Sequence, residues 1–233
     1  AHAITTSNYS VIINTSIFGY NVSEIKYHWN GTNFSLYNDS LVLMYNFDNR
    51  SSLAENDTFV FDISNAKNNG TVINGARVNL TGKYGQAFTF DGLNDYVDVS
   101  DNNSLDLNRF TVAAWFNLAE LPSISAIEGP IINKYEDIEI YNYDLRVLTT
   151  DILQVRFSDF GGSGSDIVSD PSTISANTWI HAVGVYNGTD LSLYRNGVRV
   201  ANTLTTNIPD FTATNIFIGS NFITGGNYFN GSI

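Results

Sequence analysis

Apolar and polar residues alternate in short runs along most of the chain, and turn-forming residues separate the runs. Gln86 to Phe90 and Asp95 to Val99 each alternate with period two, which predicts two strands with one buried face apiece. Asp91-Gly92-Leu93-Asn94 lies between them and predicts a hairpin, because Asp-Gly tolerates the left-handed backbone of a tight turn. Leu41 to Phe47 reads as a first sandwich strand, with Leu41, Leu43, Tyr45 and Phe47 on one face and Val42 and Met44 on the other; apolar on both faces, it is expected to be buried. Arg109 to Asn117 is the strongest strand signal, rich in β-branched and aromatic residues, and it puts Trp115 on the face of Thr111 and Ala113. Thr178 to Tyr186 and Leu191 to Val200 continue the pattern, with Asn196-Gly197 predicting a type I′ turn.

No segment combines helical apolar spacing with caps, so helix should be scarce and the fold all-β. The expectation is two stacked antiparallel sheets holding about a dozen strands or more. Phe88, Phe90, Val112, Trp179 and Leu193 are expected in the core, and Trp115 with them. Ahead of the sandwich, Tyr9 to Ile13 and Val22 to Trp29 read as a strand pair, followed by a turn-rich connector from Asn30 to Asn33. This divides the chain into an N-terminal β extension or linker, residues 1–38, and a sandwich, residues 39–233.

Composition narrows the class. Hydrophobic residues are 43% and charged residues 15%, enough apolar content for a sizeable core. The 23 acids against 11 Lys and Arg give a net charge of −12, which repels nucleic-acid phosphates and anionic membrane surfaces. No run of about 18 apolar residues predicts a membrane span. Ala1-His2-Ala3 does not begin a secretion signal, which is read as a targeting segment already removed. With no cysteine, disulfides, thiolate metal sites and a cysteine nucleophile are excluded.

Asparagine bears on the compartment. The acceptor pattern Asn-x-Ser/Thr begins at Asn8, Asn14, Asn21, Asn30, Asn33, Asn38, Asn49, Asn56, Asn69, Asn79, Asn102, Asn187 and Asn230, against roughly five or six triplets expected for independent placement of 30 asparagines. Ten of the 13 precede residue 80. The surplus predicts an N-glycosylated protein, extracellular or on the cell surface; an Asn, Ser and Thr usage suited to turns is the alternative.

Gly82-Lys83-Tyr84-Gly85-Gln86-Ala87-Phe88-Thr89-Phe90-Asp91-Gly92-Leu93-Asn94-Asp95-Tyr96-Val97-Asp98-Val99, taken with Phe110 to Phe116, Thr178 to Tyr186 and Leu191 to Val200, resembles the laminin G-like branch of the concanavalin A-like jelly-roll sandwiches. The stretch from Tyr27 to Met44 resembles the lead-in to such sandwiches in surface proteins of archaea. The resemblance implies a non-catalytic binding or adhesion role, with a glycan or a cell-surface protein as partner. It also implies that a further strand follows Asn227 to Ile233, so the sandwich is read as lacking its last strand and keeping an open sheet edge. Tyr9 to Ile13 is a candidate donor to that edge, within the chain or between chains, which makes a structural subunit of a surface layer or filament the second reading.

Candidate chemistry is sparse. Related sandwiches often bind Ca²⁺, and loops around Asp62, Asn65, Asp91, Asn94 and Asp95 offer the hard oxygen ligands it needs. Tyr141, Phe160, Phe222 and Tyr228 are the loop aromatics that could stack on a sugar ring. Glu136-Asp137-Ile138-Glu139 has the acids of a glycosidase strand in the wrong register, since Glu136 alternates onto the face opposite Asp137 and Glu139. His2, His28 and His181 show no metal-ligand spacing, and His181, among apolar neighbours, reads as a hydrogen-bonded structural residue.

Overall fold

The computed structural model describes residues 25–29, 32–37, 40–137, 140–160, 164–221 and 226–233. The chain divides into two compact units, Ala1–Ser40 and Leu41–Ile233. In the first, β1 (Ile25–Trp29) pairs antiparallel with β2 (Thr32–Tyr37), Trp29 opposite Thr32. The segment expected as a connector therefore supplies the second strand: Phe34 and Leu36 alternate with polar residues, and Asn30-Gly31 is the two-residue hairpin signal. The expected strand Tyr9 to Ile13 lies outside the described residues.

The second unit is a two-sheet sandwich. One sheet has eight strands in the order β12 (Ser165–Thr173), β11 (Ile152–Ser158), β10 (Ile140–Val147), β9 (Gly129–Asp137), β16 (Ile216–Ile218), β7 (Tyr96–Val99), β4 (Gly70–Ile73) and β3 (Phe59–Val60). The other has seven, in the order β15 (Val198–Leu204), β14 (Asp190–Arg195), β13 (Ile180–Tyr186), β8 (Phe110–Leu118), β17 (Asn230–Ser232), β6 (Ala87–Asp91) and β5 (Arg77–Asn79). Every pairing is antiparallel. Among the described residues the only α-helix is the single turn Pro122–Ser125.

Strand alternation fills the space between the sheets. Phe88, Phe90, Phe110, Val112, Phe116, Leu191 and Leu193 face Val97, Val99, Leu145, Val147, Leu153, Val155 and Phe157, all buried. Phe229 stands edge-on to both Phe90 and Phe116, with ring centroids 6.2 Å away in each case. At Gly184 the sheets approach so closely that a β-carbon would lie 2.4 Å from Val155 Cγ2, so a larger residue there would force Val155 to shift.

Two expectations about pairing fail. Gln86 to Phe90 and Asp95 to Val99 are strands, β6 and β7, but they belong to opposite sheets, so the connection between them is an arch across the sandwich rather than a hairpin. Both segments bury their apolar sets in one core, and a hairpin would lay them side by side instead of face to face. Gly92 at φ 76° makes the bend, and the Asp91 carboxylate accepts from Leu93 N–H and Asn94 N–H. Leu41 to Phe47 forms no strand, and Met44 is 42% exposed. Its backbone groups are taken by a neighbouring loop instead: Met44 N–H donates to Asp62 Oδ1 (2.8 Å), Ile63 N–H donates to Met44 O (3.1 Å), and Asn68 Nδ2 donates to Val42 O (2.8 Å). Phe47 and Asn49 then adopt φ 53° and 50°, which an extended strand cannot contain.

The chain's final residues occupy an interior position. Gly231 lies opposite Phe90 on one side and Leu118 on the other, and Phe88 and Ile233 exchange both backbone hydrogen bonds. The edge strands of this sheet are β5 and β15. From Thr111 to Trp115, β8 pairs with β13 on one side and with no strand on the other among the described residues.

Candidate functional site

The parity of β8 divides its side chains. Phe110, Val112 and Phe116 point into the core, so Thr111, Ala113 and Trp115 stand on the outer face of the seven-stranded sheet. Trp115 is half-buried there, not in the core. Its cross-strand partner is His181 on β13, and the two rings stack with centroids 4.9 Å apart at 23°. Burial holds the His181 imidazole below its ordinary pKa, so it is neutral at pH 7. The turn joining β14 to β15 fixes the same histidine from the other side. Asn196 Oδ1 accepts from His181 N–H (2.9 Å), while Asn196 N–H donates to His181 O (2.8 Å). Asn196 and Gly197 have φ 53° and 81°, the type I′ geometry expected of them.

The loop before β6 closes the arrangement. Gly82 N–H donates to Gly85 O, and a β-carbon on residue 82 would fall 2.3 Å from Gln86 O. Gly85, at φ 70°, leaves room for Asp48 Oδ1, which a β-carbon there would approach to 2.4 Å. Asp48 Oδ1 accepts from Gln86 N–H at 3.0 Å. This turn sets the Tyr84 ring edge-on to Trp115 at 5.6 Å and the Lys83 ammonium 5.1 Å from the Trp115 ring centroid. Lys83, Trp115, Trp179, His181, Asn196 and Gly197 line an open pocket of ≈ 390 Å³. Trp179, expected in the core, is half-buried at its wall. A flat aromatic pair flanked by an amide and a cation can stack on the C–H face of a pyranose and bond its hydroxyls.

The loop aromatics proposed from sequence do not form this site. Tyr141 is buried, stacked on Tyr135 at 5.6 Å and 7° under the Arg156 guanidinium, which lies 4.0 Å from its ring centroid. Phe160 is 66% exposed on a turn, and Tyr228 is half-buried with its ring 6.5 Å from Tyr96. Phe222 lies outside the described residues. Glu136 is exposed, and the side chains of residues 137–139 lie outside the described set.

The five candidate calcium ligands do not converge. The Asp62 loop leads into β4 at Gly70, opposite Val99, whereas Asp91, Asn94 and Asp95 precede β7 at Tyr96, opposite Ile73. Asp62 is fully buried and accepts from Met44 N–H, Ser64 N–H, Ser64 Oγ and Asn68 N–H, so it organises its own loop. Asn65 is exposed in the same loop. Asp95 Oδ2 accepts from Asp91 N–H, and burial, with the Asp91 charge second, holds the Asp95 carboxyl above its ordinary pKa. Asn94 is exposed. No group of three or more His, Cys, Asp or Glu able to hold a metal occurs among the described residues.

Of the acceptor asparagines, Asn49, Asn56, Asn69, Asn102 and Asn187 are exposed, and Asn79 and Asn230 are half-buried. At Asn56, Asn79, Asn102 and Asn187 the side-chain oxygen accepts from the N–H two residues on, an Asx turn that the Asn-x-Ser/Thr triplet accommodates whether or not it carries a glycan. Asn8, Asn14, Asn21, Asn30 and Asn38 lie outside the described residues, and Asn33 is on β2.

Residues 90–233 match the family model of the Concanavalin A-like lectin/glucanases superfamily, in its laminin G form. The chain belongs to this superfamily. No curated protein matches this concanavalin A-like chain in sequence. Among solved structures it is similar to domain 4 of AbnA, a GH43 extracellular arabinanase from Geobacillus stearothermophilus, in complex with arabinotriose (TM-score 0.59, 15% identity, covering 82% of this chain and 88% of that one). It is also similar to the receptor-binding domain of botulinum neurotoxin C/D mosaic serotype (0.61, 17%, 84% and 49%). The binding domain of Paraclostridial Mosquitocidal Protein 1 is a third likeness (0.56, 20%, 71% and 44%). The chain spans about half the length of the two toxin domains. At these identities the likeness establishes the sandwich fold.

The sequence reading missed Lys83, Trp115, Trp179 and His181 as a group. One signal was present: Trp115 shares parity with Thr111 and Ala113, a face too polar and small to be core, while Phe110, Val112 and Phe116 claim the other.

Proposed function

We propose that this concanavalin A-like domain is a non-catalytic glycan-binding or adhesion module, acting outside the cell through the outer face of its seven-stranded sheet. The open Trp115–His181 stack carries the reading: it keeps a flat aromatic surface half-exposed where the strand pattern would tolerate a small polar residue. Domain 4 of AbnA, a complex with arabinotriose, supports it by analogy of fold. The surplus of acceptor asparagines, ten of 13 before residue 80, supports an extracellular glycoprotein. A glycan array probed with the chain tests the reading. Selective binding that Trp115→Ala reduces at least about tenfold, with folding retained, is the expected result; an array left blank, or binding indifferent to Trp115→Ala, would refute it.

The edge strand β15, with Val198 and Leu204 largely exposed, favours a second reading, assembly into a surface layer or filament by addition of an extended segment to that edge, with Tyr9 to Ile13 as donor. Deleting residues 1–20 should abolish any polymer seen by electron microscopy while the sandwich still folds. Polymers that persist in the deletion exclude this donor.

A further inference from the structure

The charge at the pocket is out of keeping with the rest of the molecule. Acids outnumber Lys and Arg by 23 to 11 in the chain, yet no Asp or Glu lines the pocket, whereas Lys83 does. Among the described residues, five other cations pair with carboxylates, Arg50 with Asp48 among them, whereas Lys67, Arg77, Arg109 and Arg199 do not, and none of these lines the pocket. Lys134 is fully buried between Asp101 (2.6 Å) and Asp106 (3.2 Å), Arg146 meets Glu128 (3.0 Å), Arg156 meets Asp144 (2.8 Å), and Arg195 meets Asp170 (3.1 Å). Lys83 has no carboxylate partner among the described residues, and its ammonium hangs over the Trp115 ring from the exposed 82–85 turn. The nearby Asp48 accepts from Gln86 N–H (3.0 Å) and pairs with Arg50 (3.1 Å).

An exposed ammonium held beside a half-buried aromatic ring, with no acid on the pocket wall, meets a single anionic group arriving at the pocket on favourable terms. The same group would find no carboxylate on the pocket wall to repel it, and the neutral His181 ring would remain a stacking surface. We infer that the glycan recognised on this face carries a carboxylate, as a uronic or sialic acid residue does, seated on the Lys83 ammonium while its ring lies against the Trp115–His181 stack. The inference rests on the glycan reading above and adds the charge of the ligand.

The test uses the whole chain on an array of neutral, carboxylated and sulfated oligosaccharides. Calorimetry then compares an oligouronide with its carboxyl-reduced, neutral counterpart. The expected result is about tenfold or more tighter binding of the carboxylated form, weakening as salt is raised, a preference that Lys83→Met abolishes and Lys83→Arg keeps. Equal affinity for the two forms overturns the inference and leaves the glycan reading in place. A preference for sulfated sugars alone, or one that survives in Lys83→Met, also overturns it. If no oligosaccharide of any charge binds, the glycan reading falls and the inference falls with it.

Discussion

The two outer faces of the sandwich use the same pieces to opposite ends. On the eight-stranded sheet, Tyr135 and Tyr141 stack, Arg156 lies 4.0 Å from the Tyr141 ring centroid, and Asp144 neutralises the guanidinium at 2.8 Å. On the seven-stranded sheet, Trp115 and His181 stack and Lys83 lies 5.1 Å from the indole centroid, with no carboxylate lining the pocket. The first set is buried and complete, so its geometry serves the fold. The second is half-exposed and lacks a counter-ion, so part of its interaction capacity is unspent. An aromatic pair with a cation is therefore not in itself a binding signature; what separates the two cases is burial and the presence of the neutralising acid.

This contrast sets the expected sizes of the following effects. Arg156→Ala removes the nearer of the two guanidiniums on the buried Asp144 carboxylate, leaving only Arg146 at 3.6 Å, and should destabilise the chain by about 3 kcal/mol in urea unfolding. Replacing both members with apolar residues, Asp144→Leu with Arg156→Met, should recover most of that loss; a double variant as unstable as the single one would mean that the pair does more than neutralise itself. Trp115→Ala removes a half-buried ring and should cost about 1–2 kcal/mol, visible as a modest fall in unfolding midpoint. A loss as large as that of Arg156→Ala would place Trp115 with the structural set.

A smaller effect concerns acid. His181 is held below its ordinary pKa by burial, so between the folded and unfolded values the unfolded chain binds more protons, and stability must decline as pH falls below about 6.5. The groups facing the imidazole are Trp115 from β8, Asn196 from the turn and Lys83 and Trp179 at the pocket wall, none able to neutralise the imidazolium. Unfolding midpoints measured from pH 7 to pH 5 should fall more steeply in the parent than in His181→Gln. Parallel curves for the two would show that burial of His181 carries no such linkage. The smallest effect is that of Lys83→Ala, expected within about 0.5 kcal/mol of the parent because the side chain is exposed and unpaired by acid.

The sequence carried the element types well because period-two alternation is a local property: β6, β7, β8, β13 and β14 all fall where the pattern puts them. It did not carry the partner of each strand. Asp91 to Asn94 bends the chain equally well within a sheet or across the sandwich, and only the burial of Phe90 opposite Val97 and Val99 chooses the arch. The candidate site divided in the same way. Trp115 was open to a reading by parity with Thr111 and Ala113, whereas the burial of Tyr141 depends on Arg156, 15 residues away and on another strand, which no local pattern reports. Asn30-Gly31 shows the opposite case, a strong local signal passed over in favour of the turn-rich residues around it.

The turn at Gly82 and Gly85, pinned by Asp48, lies ahead of residues 90–233, the part of the chain that matches the superfamily. Trp115 and His181 stand on β8 and β13, within that range, whereas Lys83 is supplied by the turn before β6. On the reading proposed above, ligand charge would be separated from ligand shape along the chain: the sheet would supply the aromatic surface, and the five-residue loop 82–86, with its Asp48 anchor, would supply the sign. Exchanging that loop together with Asp48 would then be expected to change the charge preference while leaving the Trp115–His181 stack in place.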